Sequence, residues 1–167
     1  MESILPIGYV GLLIVLLSLA ALFILQQTLK TRKIESTLSK LQNKLKNEKG
    51  TFQEYYELGS IYLDKKLFVQ AISLFQKAIK AAEDTEENIA PIYNALGFAY
   101  FGQEQYDLAL RNYKEAVRLA PTYVIALNNL GHAYEHKKLN SQALETYEEV
   151  LKLEPNNAIA KRRVEVL

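Results

Sequence analysis

The sequence predicts an all-α protein: one transmembrane helix at the amino end, a helical connector, and an α-solenoid of three helical hairpins closed by a capping helix. Three observations predict it. A phrase occurs three times. Leu58-Gly59-x-x-Tyr62 is followed by Ala71, Phe75 and Ala78; Leu96-Gly97-x-x-Tyr100 by Ala109, Tyr113, Ala116 and Pro121; Leu130-Gly131-x-x-Tyr134 by Ala143, Tyr147, Val150 and Pro155. The second and third copies are in step at 34 residues, a period that belongs to stacked two-helix units. Finally, no charged side chain occurs from Ser3 to Thr28.

The amino-terminal run, Ile4–Leu25, is 22 residues rich in Leu, Ile and Val. As a helix rising ~1.5 Å per residue it reaches roughly 33 Å, enough for a hydrocarbon core of ~30 Å. Pro6 falls in the first turn, where a missing N–H does no harm. A cleaved signal peptide fits less well, because only Glu2 precedes the run and the run is long for that role. A buried core helix would need a covering layer that the rest of the chain does not provide. Residues 1–29 are therefore read as an anchor. Lys30, Arg32 and Lys33 come directly after the span and no Lys or Arg precedes it. That asymmetry keeps the remainder of the chain on the cytoplasmic or stromal side and sends the amino terminus across. Gly8-x-x-Gly11 lacks the spacing of a helix-dimer motif.

Residues 30–50 form a basic connector with seven Lys/Arg and two Glu. Ile34, Leu38, Leu41 and Leu45 recur at helical spacing. A stripe this short leaves three uses open: a dimeric coiled coil, packing on the first repeat, or contact with lipid. The cations, Lys30, Arg32 and Lys33 first among them, suit anionic headgroups as well as plain solvation.

Residues 51–157 hold three units, 52–85, 90–123 and 124–157, and 158–167 resembles half a unit that caps the stack. In each, the glycine at the eighth position admits a neighbouring helix because it has no Cβ. The later Ala, Tyr and Phe positions fill the space between layers, and Pro121 and Pro155 end second helices. Glu83 stands where the first unit would have its proline. Four extra residues separate this unit from the second, within Glu83-Asp84-Thr85-Glu86-Glu87-Asn88. This segment reads as a solvated loop with capping carboxylates, or alternatively as an acidic knob for a basic partner.

Composition narrows the function. The chain has 167 residues, net charge +1, no cysteine and two histidines. Near neutrality gives no electrostatic case for nucleic acid. The lack of cysteine removes disulfides, thiolate catalysis and cysteine-ligated metals. One string suggests chemistry: His132-x-x-Glu135-His136 places two imidazoles on one helix face, a spacing that suits zinc in a metal-dependent hydrolase. It lies wholly within the third repeat phrase, with no third ligand at a recognisable spacing. The residues therefore read as repeat positions, with no catalytic group, metal or cofactor assigned.

The order of small and large residues in the three units resembles the tetratricopeptide repeat, with Tyr55, Tyr93 and Leu127 where a consensus unit carries Trp. That resemblance implies a groove lined by the first helix of each unit. The positions it implies are Gln53, Tyr56, Ser60, Leu63 and Asp64; Pro91, Asn94, Phe98, Phe101 and Gly102; Ile125, Asn128, His132, Glu135 and His136. Tyr56, Ser60, Asn94, Phe98, Phe101, Asn128, His132 and Glu135 are the groove residues expected to meet a partner. The amides hold extended backbone, and Phe98 and Phe101 anchor apolar side chains unless they are buried in the stack. The positions with which one subclass grips chaperone tails hold Tyr56, Ser60, Ala95, Ile125 and Asn129. None is a cation, which argues against that clamp. Anchor, basic connector and three repeats in this size also resemble the thylakoid protein family of cyanobacteria and algal plastids that assists photosystem I assembly. That resemblance implies a thylakoid scaffold with protein partners among photosystem I subunits or assembly factors. The alternative is an anchored adaptor of another membrane.

Overall fold

The computed structural model describes residues 4–83, 85 and 87–167, with residues 4–8 and 10 described through their backbone. Every regular element among them is a helix. The chain divides into two compact units, Met1–Asn43 and Lys44–Leu167.

The first unit is built on α1, a helix running Ile4–Asn47. Between Leu12 and Leu29 its large apolar side chains are all more than half exposed, so no protein layer covers them. The helix is long and apolar enough to cross a membrane. Two hydroxyls in its apolar stretch are compatible with that environment, because they find acceptors one turn back: Ser18 Oγ donates to the Ile14 carbonyl and Thr28 Oγ1 to the Ile24 carbonyl, both at 2.8 Å. A hydroxyl satisfied by its own helix brings no unpaired donor into an apolar medium.

The second unit stacks three helical hairpins and a cap: α2 (Phe52–Asp64) with α3 (Phe68–Ala81), α4 (Ala90–Gly102) with α5 (Tyr106–Leu119), α6 (Val124–His136) with α7 (Asn140–Leu153), then α8 (Ala158–Val164). The start of α2 is fixed by a capping box. The Glu54 N–H donates to Thr51 Oγ1 at 3.3 Å, and the Thr51 N–H donates back to Glu54 Oε2 at 3.0 Å. Two backbone donors that the first helical turn leaves over are thereby satisfied. Lys44 Nζ meets the other oxygen of Glu54 at 2.5 Å. That ammonium and the Thr51 N–H hold the Glu54 carboxyl below its usual range.

Each hairpin turns the same way, without glycine. Lys66, Glu104 and Lys138 take φ near 60°, a left-handed conformation most often given to Gly or Asn. The N–H groups of Leu67, Gln105 and Leu139 then donate to the carbonyls of Tyr62, Tyr100 and Tyr134 at 2.8, 3.0 and 2.9 Å. This closure lets α3, α5 and α7 fold back along their partners. The repeated glycines supply the close approach. A Cβ on Gly97 would lie 2.7 Å from Tyr113 Cδ1, one on Gly131 2.8 Å from Tyr147 Cε1, and one on Gly59 2.7 Å from Phe75 Cε1. The aromatic ring of the second helix lies against the bare glycine of the first.

The prolines act as their chemistry requires. Ala120 and Glu154 precede Pro121 and Pro155 and are extended, with ψ of 85°, because a following proline excludes the helical region. Ala82 has no proline after it and stays helical, with ψ of −2°. In the longer loop between α3 and α4, Asn88 Oδ1 accepts from the Ala90 N–H at 3.0 Å. Asp84 and Glu86 of the acidic segment lie outside the described residues. The core forms two clusters, one around Phe75, Ile92 and Leu96 and one around Tyr113, Leu127 and Tyr147, and Tyr100 packs against both. Ala160 and Val164 of α8 cover the second cluster at its open end.

Candidate functional site

The first helices of successive hairpins lie side by side, α2 beside α4 and α4 beside α6. A hydrogen bond ties the last two together, as Asn129 Nδ2 donates to Asn94 Oδ1 at 2.9 Å. Asn94 is thus set by a residue one repeat away. Tyr123 joins the same region. Burial, with Tyr56 nearby, pushes its hydroxyl above the ordinary range, and a hydrogen bond with Asn94 works the other way.

The eight candidate groove residues fall into two groups. Phe98 is open, 49% exposed. Tyr56, Asn94, Asn128 and His132 are half-buried. The other three are half-buried as well, and each has an intramolecular contact. Ser60 Oγ donates to the Tyr56 carbonyl at 2.8 Å. The Phe101 ring sits among Tyr106, His132 and His136, with centroids 5.1, 5.0 and 4.8 Å away. Glu135 accepts from the Tyr147 hydroxyl at 2.5 Å and pairs with Arg163 at 3.4 Å. It therefore joins α6, α7 and α8. Phe98 and Phe101 differ because helical residues three apart do not share one exposure once a neighbouring helix covers one of them.

Asn128 has a distinct arrangement. Its Nδ2 donates to the Val124 carbonyl at 3.2 Å, while its Oδ1 is buried without a hydrogen-bond partner. Beside it a cavity of about 210 Å³ opens among Asn128, Asn129, His132, Ile159 and the cap arginines. Arg162 and Arg163 are not legible as groove residues from spacing, since they lie outside the three units. Their only sequence signal is the basic face of the last segment.

The two histidines are packed as aromatic rings. Their centroids are 4.7 Å apart at an interplanar angle of 87°, and His136 stacks on Tyr106 at 5.1 Å. Among the described residues no group of three His, Cys, Asp or Glu side chains is placed to hold a metal ion. Glu135, the carboxylate of the string, is turned to Tyr147 and Arg163. Burial holds the His132 imidazole below its ordinary pKa, His136 and Arg163 push the same way, and Glu135 opposes. A group whose folded pKa is depressed binds fewer protons folded than unfolded, so stability falls as pH drops. The unfolded value is ~6.5. The melting temperature should therefore decline as pH passes from above that value to below the folded pKa. His132→Gln should remove that part of the slope. A variant with an unchanged slope over the same window would show that His132 titrates normally.

Comparison with known proteins adds kinship to this geometry. The tetratricopeptide repeat model matches residues 53–122 and 89–155. A protein of Guillardia theta named ycf37, described as uncharacterized, is 38% identical over 130 residues, 77% of this chain and 73% of that protein. The Arabidopsis thaliana tetratricopeptide repeat domain-containing protein PYG7, chloroplastic, is 34% identical over 128 residues; the match covers 77% of this chain and 42% of that longer protein. Among solved structures, YrrB, described as a tetratricopeptide protein with an unusual peptide-binding site, superposes with a TM-score of 0.70 at 25% identity. It covers 82% of this chain and 69% of its own.

Proposed function

The chain belongs to the tetratricopeptide-repeat family, alongside the ycf37 proteins, and from that premise we propose that it is a non-catalytic, membrane-tethered scaffold that assists assembly or stability of photosystem I. The observation that carries the scaffold reading is the first-helix face, where a half-exposed phenylalanine stands beside fixed amides. Aromatics in such settings anchor partner side chains, and amides pair with backbone. YrrB, which shares the fold, has a peptide-binding site. The photosystem I client is supported by the relation to ycf37 and to a chloroplastic protein, together with the resemblance of anchor, basic connector and repeats to the thylakoid assembly family.

Division of labour runs along the chain. Residues 1–29 anchor, 30–50 connect, 51–157 bind and 158–167 cap. The uncovered apolar surface of α1 supports the anchor. Lys30, Arg32 and Lys33 support an orientation with the repeats on the stromal or cytoplasmic side of the thylakoid membrane, and place three cations at the level of anionic headgroups. Confinement at the bilayer raises the effective concentration of the groove for membrane-bound clients.

Affinity purification of the tagged full chain from solubilised thylakoids tests the whole reading. Photosystem I subunits or their assembly factors should be recovered with it, and the chain itself should remain in the membrane fraction until detergent is added. Recovery of the intact chain in the soluble fraction would remove the anchor. Reproducible recovery of an unrelated complex would replace the client.

A further inference from the structure

A second cavity, of about 380 Å³, lies away from the groove residues. It is lined by Lys49 and Gly50 of the loop after α1, Tyr55 of α2, and Lys77, Lys80 and Ala81 of α3. The Gly50 N–H donates to the Tyr55 hydroxyl oxygen at 3.1 Å, which holds the loop against the ring. Three ammonium groups and no carboxylate line the cavity. Glu54, one residue from Tyr55, is taken by Lys44 and by the Thr51 N–H. Lys49, Lys77 and Lys80 are exposed and pair with no carboxylate among the described residues. The opposite charge comes two residues after Ala81. Glu83 and Glu87, the described carboxylates of the loop between α3 and α4, are exposed and also without an ion pair among the described residues. The two sets adjoin in the chain, and neither satisfies the other within one copy.

A patch whose basic and acidic halves adjoin is its own complement. A second copy, turned by half a revolution, sets its acidic half on the first copy's basic half, and the reverse contact forms at the same time. We propose that this chain pairs with a second copy of itself through such a two-fold contact, in which Glu83 and Glu87 of each copy meet Lys49, Lys77 and Lys80 of the other. One exposed ion pair contributes only ~0.2–1 kcal/mol, so the contact draws on several pairs, each made twice, and on covering Tyr55 and Ala81. Anchoring favours it. Copies held in one bilayer share an orientation, which a two-fold axis along the membrane normal preserves, and confinement raises the effective concentration of one copy for another. Lipid headgroups match the cavity less well. From Lys30 to Asn47, α1 adds about 27 Å of helix past the apolar run at ~1.5 Å per residue, while headgroup charge acts over only ~10 Å. The contact uses none of the eight groove residues, so it stands or falls apart from the client-binding face.

The test uses the full chain in vesicles of neutral lipid. The chain has no cysteine, so Ser141→Cys, exposed and outside the patch, carries a donor dye on one batch and an acceptor dye on another. Energy transfer should exceed that of random co-residence at the same protein-to-lipid ratio. It should fall at least roughly threefold as salt rises from about 50 to about 500 mM, because exposed charges are screened. Lys77→Glu with Lys80→Glu should bring transfer toward the random level, and so should Glu83→Lys with Glu87→Lys. An equal mixture of these two chains should recover transfer above either alone, since the basic cavity of one again meets the acidic loop of the other. Circular dichroism checks that both remain helical, and Lys77→Gln with Lys80→Gln lowers transfer without adding charge. Wild-type transfer at the random level, no salt dependence, transfer undiminished in the charge-reversed or Gln variants, or no recovery in the mixture would each overturn the proposal. Wild-type transfer at the random level together with loss of the client from Lys77→Glu with Lys80→Glu would give the cavity to an acidic partner protein instead.

Discussion

Tyr113→Ala should destabilise the repeat stack by about 3–5 kcal/mol, the range for deleting a large buried ring. Tyr113 is 1% exposed, and its ring lies on Gly97, so near that a Cβ there would be 2.7 Å from Cδ1. It also packs in the cluster containing Leu110, Leu127 and Leu130. Two helices therefore converge on one ring, and neither can move into the vacated space without losing contacts on its other side. In a stacked array each unit is stabilised mainly by its neighbours, so loss at the middle hairpin weakens the interfaces on both sides of it. A drop of roughly 10–20 °C in the melting temperature is expected for a unit of this size, followed by circular dichroism at 222 nm in micelles. Tyr113→Phe is the control: it keeps the ring and removes a hydroxyl whose pKa burial already raises. An alanine variant melting as the wild type does would mean that the ring on the glycine is not what holds the hairpin together.

Phe98→Ala should leave the fold intact and weaken client capture by roughly 30-fold, the size of a loss of about 2 kcal/mol at an interface anchor. Both outcomes have one cause, since a side chain 49% exposed fills no cavity whose opening would cost stability and stays available to a partner. Phe101 is the contrasting case. Its ring contacts Tyr106, His132 and His136, so Phe101→Ala removes packing between α4 and α6 and confounds a binding assay. Binding of the purified client by Phe98→Ala, measured beside its melting curve, decides. A variant that melts normally and captures its client as before would move the interface off this face.

The hairpins are legible in the chain because helix, turn and helix are encoded within about 34 residues, and the glycine, aromatic and proline positions act on near neighbours. The close approach at Gly97 and the helix end before Pro121 come from the residue types themselves. The turn closure at Lys66, Glu104 and Lys138 is not legible, because none is the glycine or asparagine that usually marks a left-handed residue. The hydrogen bonds of the turn, not the residue type, impose that backbone. Among groove positions, the repeat pattern puts Phe98, Phe101, His132 and Glu135 on one set of faces. It could not say that Glu135 would be taken up by Tyr147 and Arg163, or that Phe101 would be covered by the two histidines.

By itself the sequence determined the helices, their pairing into hairpins, the uncharged span ahead of them and the membership of the repeat family. All of these depend on local backbone preference and on contacts within one or two turns or one hairpin. Only the tertiary structure decided which first-helix side chains stay open, which acceptor is left without a donor, and that the cap arginines meet Asn128 from the far side. Those outcomes depend on how successive hairpins rotate as they stack. That rotation is set by the packing of many side chains at once, and no single spacing in the chain records it.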